Sequence, residues 1–267
     1  MLRRPFLAAA GALLLPGAHA QRKPGTGGPL RLGVDRSLAD SGLAPGLQRA
    51  FSADTGIAVK LVPGPALAVL DAVTNGEVDA ALLNAPEAEG RIAQQNLVHD
   101  RRLIAHGEFV LVGPAPRTRG RAAARGQSGA EALLRIREQA TAATPAAPFL
   151  SAGDGSGVHV AEQALWRAAR VEPVAPWYVT AEPGRSFIGQ VRERGAYALV
   201  ERGAWATLGG APLAIVVDGD PTLAEAVHAM RSFRVSHPAG KIFLGWIGGG
   251  RGRAVVGSVR GYRAPAA

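Results

Sequence analysis

The chain contains no cysteine. That one absence removes disulfides, thiolate metal sites and a cysteine nucleophile together. Aromatic residues make up only 5% of the sequence, and lysine is confined to Lys23, Lys60 and Lys241. The formal charge of +9 is therefore carried by arginine, scattered along the chain. No arginine cluster is interleaved with aromatic rings, as surfaces that hold single-stranded nucleic acid require, so nucleic acid is not an expected partner. A positive field suits the attraction of a small anionic solute instead. No apolar run reaches the ~20 residues of a membrane span.

The motifs of common enzymes are also missing. His19, His99, His106, His159, His228 and His237 never fall at metal-ligand spacing. Gly153-x-Gly155-x-Gly157 is not a dinucleotide fingerprint, and there is no Gly-Lys-Ser/Thr phosphate loop. A nucleophile elbow needs glycine two residues before its serine, where Ser156 has Asp154. Neither a cofactor, nor a metal, nor a catalytic set is expected.

What is present begins at the N-terminus. Met1-Leu2-Arg3-Arg4 is basic, Pro5 to Leu15 is apolar, and Pro16-Gly17 breaks the run before Ala18-His19-Ala20. This is the pattern of a signal peptide over residues 1–20, cleaved before Gln21, with no cysteine to carry a lipid anchor. The expected product is periplasmic. Loss of the leader takes Arg3 and Arg4 with it, which lowers the charge to +7 over 247 residues. That length suits two lobes of ordinary domain size, and an exported chain of this size folds without disulfides.

After a Gly/Pro-rich lead-in at 21–28, short apolar runs alternate with amphipathic segments, the pattern of an α/β sheet. Strands are expected at Leu30–Val34, Ile57–Val62, Val78–Leu83, Glu108–Gly113, Trp177–Thr180, Tyr197–Val200 and Leu213–Val217. Helices are expected from a cap at Asp40 or Ser41 to about Asp54, then over Ala66–Asn75, Glu87–Gln95, Glu131–Ala140, Val158–Arg170 and Ile188–Arg194, with a C-terminal helix around Ile242–Ile247. Thr118–Ser128 reads as a surface loop. Two loops between a strand and a helix stand out, because ligands of open α/β sheets bind beyond the carboxyl ends of strands. One is Asp35 to Gly42. The other is Ser151 to His159, whose glycines allow close backbone approach and whose free N–H groups at a helix start suit an anion.

A family resemblance covers nearly all of the mature chain, from about Leu30 to Tyr262. It is carried in order by Asp40-Ser41-Gly42-Leu43, Thr55-Gly56-Ile57, Gly76 to Pro86, Glu108 to Pro114, Ala147 to Ser151, Gly153-Asp154, Ser156-Gly157 and His159. Ala164-Leu165-Trp166, Trp177-Tyr178, Gly195-Ala196-Tyr197, Glu201-Arg202-Gly203 and Gly219-Asp220-Pro221 complete it. In these segments the chain resembles the tungstate-binding component of bacterial ABC importers, a type II periplasmic binding protein.

The resemblance implies a two-lobed α/β fold with a two-strand hinge. Lobe one would hold residues 29–110 and 204–267, lobe two 111–203, with crossings near Phe109–Gly113 and Leu199–Arg202. It implies a monomer that closes on a small anion, tungstate or molybdate, and then docks an inner-membrane ABC permease. The residues expected to hold the ligand are Arg36 and Ser37 from lobe one and Ser151, Asp154, Ser156 and the amides of Gly155 and Gly157 from lobe two, with Asp154 organising its loop rather than touching the anion. The ligand loops depart from the family pattern. Its Thr-Thr-Thr-Ser loop aligns with Val34, Asp35, Arg36 and Ser37, and the arginine and threonine of its second loop align with Ala152 and Val158. Arg36 or Arg185 is the candidate to replace that arginine, or both face solvent. Another oxyanion, an organic acid or a sensory role fits the same fold.

Overall fold

The computed structural model describes residues 28–114, 128–142 and 147–266; the expected leader and most of the expected loop at 118–128 lie outside them. Strand β1 (Leu30–Asp35) leads into the single turn α1 (Arg36–Asp40) and helix α2 (Leu43–Thr55), which stops on Gly56 in the left-handed conformation. β2 (Val59–Gly64), α3 (Ala66–Asn75), β3 (Ala80–Leu83) and α4 (Pro86–Gln94) follow. β1 lies between β2 and β3, parallel to both, so the carboxyl ends of β1 and β3 open on one edge.

The chain then runs through β4 (Val98–Pro114), α5 (Gly129–Ala140), β5 (Phe149–Ser151), α6 (Gly157–Ala169), β6 (Tyr178–Thr180), α7 (Phe187–Arg194), β7 (Ala198–Glu201) and α8 (Arg202–Leu208). β8 (Leu213–Val217), a 3-10 turn at Pro221–Leu223, β9 (Ala224–Ser232), α9 (Pro238–Gly248) and α10 (Gly250–Ser258) complete it.

The two-lobed α/β fold is as the sequence implied. β4 serves both lobes. Its first part, to Glu108, pairs with β9, and from Phe109 onward it pairs with β7 and then β8. Each sheet is covered on both faces. In lobe one, Leu32, Phe51 and Phe243 pack on one face and Val69, Leu83 and Met230 on the other. In lobe two the two faces are filled by Leu133, Phe149 and Trp166, and by Val112, Leu150 and Ile188. Each lobe thus has its own densely packed apolar core.

Helices α8 and α10 were not expected, and two further differences bear on the site. Residues 204–217 lie with lobe two rather than lobe one: Ala204, Trp205 and Leu213 pack with Val110 and Val112, and β8 pairs with the far end of β4. Glu201 caps α8 directly through the N–H groups of Gly203 and Ala204, so the chain turns back into lobe two instead of crossing. The second crossing is the segment 218–224. There Arg202 binds Glu108 at 2.7 Å and Asp218 at 2.8 Å, tying the two crossings together. The second difference is in the strands: the first half of β4 and all of β9 were not foreseen. β9 reads Ala-Glu-Ala-Val-His-Ala-Met-Arg-Ser, rich in helix formers, and becomes a strand because it fills the centre of the sheet between β3 and β4.

Candidate functional site

The carboxyl ends of β1 and β3 face the start of α6 across the cleft between the lobes. Asp35 ends β1 and caps α1. One of its carboxylate oxygens accepts from the Ser37 N–H at 2.9 Å and the Ser37 hydroxyl at 2.6 Å. The other accepts from the N–H of Gly157, in the opposite lobe, at 3.0 Å. Asp35 is fully buried. Burial pushes its carboxyl upward, the bonds from Ser37 and Gly157 oppose that, and the charge of Asp154 adds to it.

On the other wall, the loop after β5 uses most of its polar groups on itself. Ser151 accepts from the Gly153 N–H, Asp154 accepts from the Ser156 N–H, and Ser156 caps α6 by accepting from His159. Gly153 and Gly155 sit at φ of +62° and +76°, which favours glycine. The Gly155 N–H donates to His159 Nδ1 at 3.0 Å, so this ring is neutral, in keeping with its pKa lowered by burial. Across the cleft, the Gly155 carbonyl accepts from the N–H of Leu67 at 3.1 Å.

Between these walls lies a cavity of about 50 Å³. Arg36, Ser37, Asp154 and Ser156 line it together with Ala152 and Val158. Phe187, Ile188 and Glu201 are also part of its lining. Ser151 is buried beneath the loop, and the Gly155 and Gly157 amides already have protein partners. Arg36 is exposed beside Asp40, and Arg185 lies elsewhere, on an exposed surface, paired with Glu182 and Glu193. A second cavity of about 190 Å³ lies behind Asn84, between α4 and α6, with a largely apolar wall of Val160, Ala164 and Leu165.

Several site residues were not singled out from the sequence. Asn84, just after β3, is buried and donates to Ser37 at 3.1 Å and to Glu225 at 2.7 Å. Its sequence signals were its place at the polar end of the apolar run Ala80–Leu83 and within the resemblance segment Gly76 to Pro86. Glu225 lies on the unforeseen β9. Glu201 is raised to about 7, first by burial and also by the charge of Asp35, and Glu225 is held well above its ordinary value by burial and Glu201. Tyr262 is buried at the same place and meets Ser41 at 3.0 Å. Among the described residues no group of three or more His, Cys, Asp or Glu side chains forms a metal-ligand set.

Comparison with known proteins bears on the family and the fold. The family model described as the PBP superfamily domain matches residues 24–238. A Haloferax volcanii protein, described as a candidate ABC transporter anion-binding protein, is 32% identical over 240 residues, spanning 81% of this chain and 68% of that one. The tungstate-binding protein TupA of Peptoclostridium acidaminophilum is 28% identical over 260 residues, 92% of this chain and 89% of that one. The solved structure of the tungstate ABC transporter from Geobacter sulfurreducens is 27% identical with a TM-score of 0.70, covering 85% of this chain and 97% of its own.

Proposed function

We propose that this chain, which belongs to the PBP superfamily, is the exported solute-binding component of an ABC importer. It captures a small solute between its lobes and presents the closed form to a membrane permease. The observation that carries this reading is the small cavity whose walls come from both lobes, Arg36 and Ser37 from one and Asp154 and Ser156 from the other. A solute held there touches both lobes, so its binding energy favours the closed arrangement over the open one. The role is capture rather than chemistry.

The descriptions of the relatives point to a small oxyanion as the solute class. The carboxylates of Asp35, Asp154 and Glu201 around the cavity favour a second reading, a different small solute in the same cleft. The leader at residues 1–20 supports export to the periplasm, where the chain acts as a monomer.

A thermal-melting screen of oxyanions and small organic acids tests the capture reading. One solute should raise the melting temperature, since a ligand of the folded state stabilises it by mass action. If no solute in the screen does so, the protein is not a solute trap of this kind. Export is checked separately, by sequencing the N-terminus of periplasmic material, which should begin at Gln21. Finding the full leader still attached would contradict it.

A further inference from the structure

An anion position already exists in the cleft, and the chain fills it with its own carboxylate. Gly157 is the first residue of the 13-residue helix α6, where free N–H groups and the helix dipole favour a negative charge. Its N–H points across the lobes to Asp35 at 3.0 Å. The other contacts of Asp35, the Ser37 N–H and hydroxyl, are donors too, so the carboxylate acts purely as an acceptor.

We infer that Asp35 is a built-in competitor for the solute and the specificity-determining residue of the cleft, so that an oxyanion is captured only together with a proton that removes the Asp35 charge. This deepens the proposed function and rests on its reading of the cleft as the solute site.

The surroundings support the requirement for a proton. Asp154 stands on the loop before α6, Glu201 on β7 and Glu225 on β9, and each raises or is raised by the charge of Asp35. On α1 the neighbouring groups are Arg36, which is exposed, and Asp40. His159 on α6 is neutral, and Tyr262 faces Glu201 and Glu225. Two buried oxygens here, Asn84 Oδ1 and Glu225 Oε2, have no hydrogen-bond partner, in residues only 2% exposed. A dianion would add more acceptors and more negative charge to this pocket. Protonation of Asp35 turns an acceptor into a donor, frees the Gly157 N–H for the oxyanion and removes one repulsive charge. Burial already moves Asp35 toward the proton-bearing form.

The test is calorimetric titration of molybdate into the natural chain, Asp35→Asn and Asp35→Thr, at about pH 6.5, 7.5 and 8.5, in buffers of differing ionisation enthalpy. Proton uptake on binding makes the natural chain's affinity fall as pH rises, by up to about tenfold per pH unit where Asp35 is ionised in the free chain. The buffer comparison should read a net proton uptake per molybdate that is larger in the natural chain than in either variant. Both variants should bind at least tenfold tighter than the natural chain at pH 8.5, with less proton uptake and a shallower pH profile than the natural chain shows. Two uncharged side chains of different shape guard against one simply distorting the loop. A natural chain whose affinity is flat with pH, or two variants that gain nothing at pH 8.5, overturns the inference. If another solute still raises the melting temperature of the natural chain, the capture reading survives that failure; if none does, both fall.

Discussion

Glu162 sits on α6 beneath Ser151 and accepts from the Tyr178 hydroxyl at 2.7 Å. Burial pushes its carboxyl up to about 7, and the same pair lifts the Tyr178 phenol to about 12, burial again being the largest cause. A carboxyl raised on folding contributes stability that is fully present below the ordinary carboxylate range and is lost as pH rises through about 7. Between pH 5.5 and 8 that loss is about 2 kcal/mol for one such group. Glu201, also raised to about 7, acts in the same direction. The chain should therefore melt at a higher temperature at pH 5.5 than at pH 8. Glu162→Gln should make the decline shallower by about 2 kcal/mol, read from urea unfolding at both pH values. An unchanged slope in that variant would mean that Glu162 is ionised in the folded protein.

At the scale of elements, α6 and the two crossings matter most. Ser156 caps α6 and also lines the cavity. Ser156→Ala should cost about 1 kcal/mol of stability, the usual loss of a helix cap, and lower the melting temperature by a few degrees. Arg202 joins β4 to the return segment through Glu108 and Asp218, all three only partly exposed. Arg202→Met leaves two carboxylates facing each other at the hinge and should cost about 1–2 kcal/mol by chemical denaturation, a value discounted for solvent screening. No measurable loss would show that the hinge does not depend on this clasp.

The same elements show what was legible in the sequence. Glycines at helix ends and unbroken apolar runs marked β1, α2, α3 and β3, because those signals are local. The loops at 35–42 and 151–159 stood out by their position between strand and helix. β9 was not legible, since a central strand takes its conformation from its neighbours rather than from its own propensities, and Glu225 was missed with it. The part played by Asp35 was hidden for a related reason: its partner Gly157 is 122 residues away. Only the negative charge of Asp35 could be read, not the N–H it holds. Arg202 was visible as a motif residue, but its task at the hinge needed Glu108 and Asp218 beside it.

For the whole molecule, closure depends on how near the lobes approach. A Cβ on Gly157 would overlap the side-chain amide of Asn84, which is itself held by Ser37 and Glu225. Gly157→Ala should hold the lobes apart at the cleft while leaving both cores intact. The central claim, that one small solute is trapped between these walls, is tested most directly by calorimetric titration at about pH 6.5. The titrant is the solute that raises the melting temperature most, added to the natural chain and to Gly157→Ala. The account predicts one molecule bound per natural chain and an affinity at least tenfold weaker in the variant, since 1.4 kcal/mol of lost contact across the cleft corresponds to about tenfold. Equal affinity in the two proteins would place the solute elsewhere and contradict it.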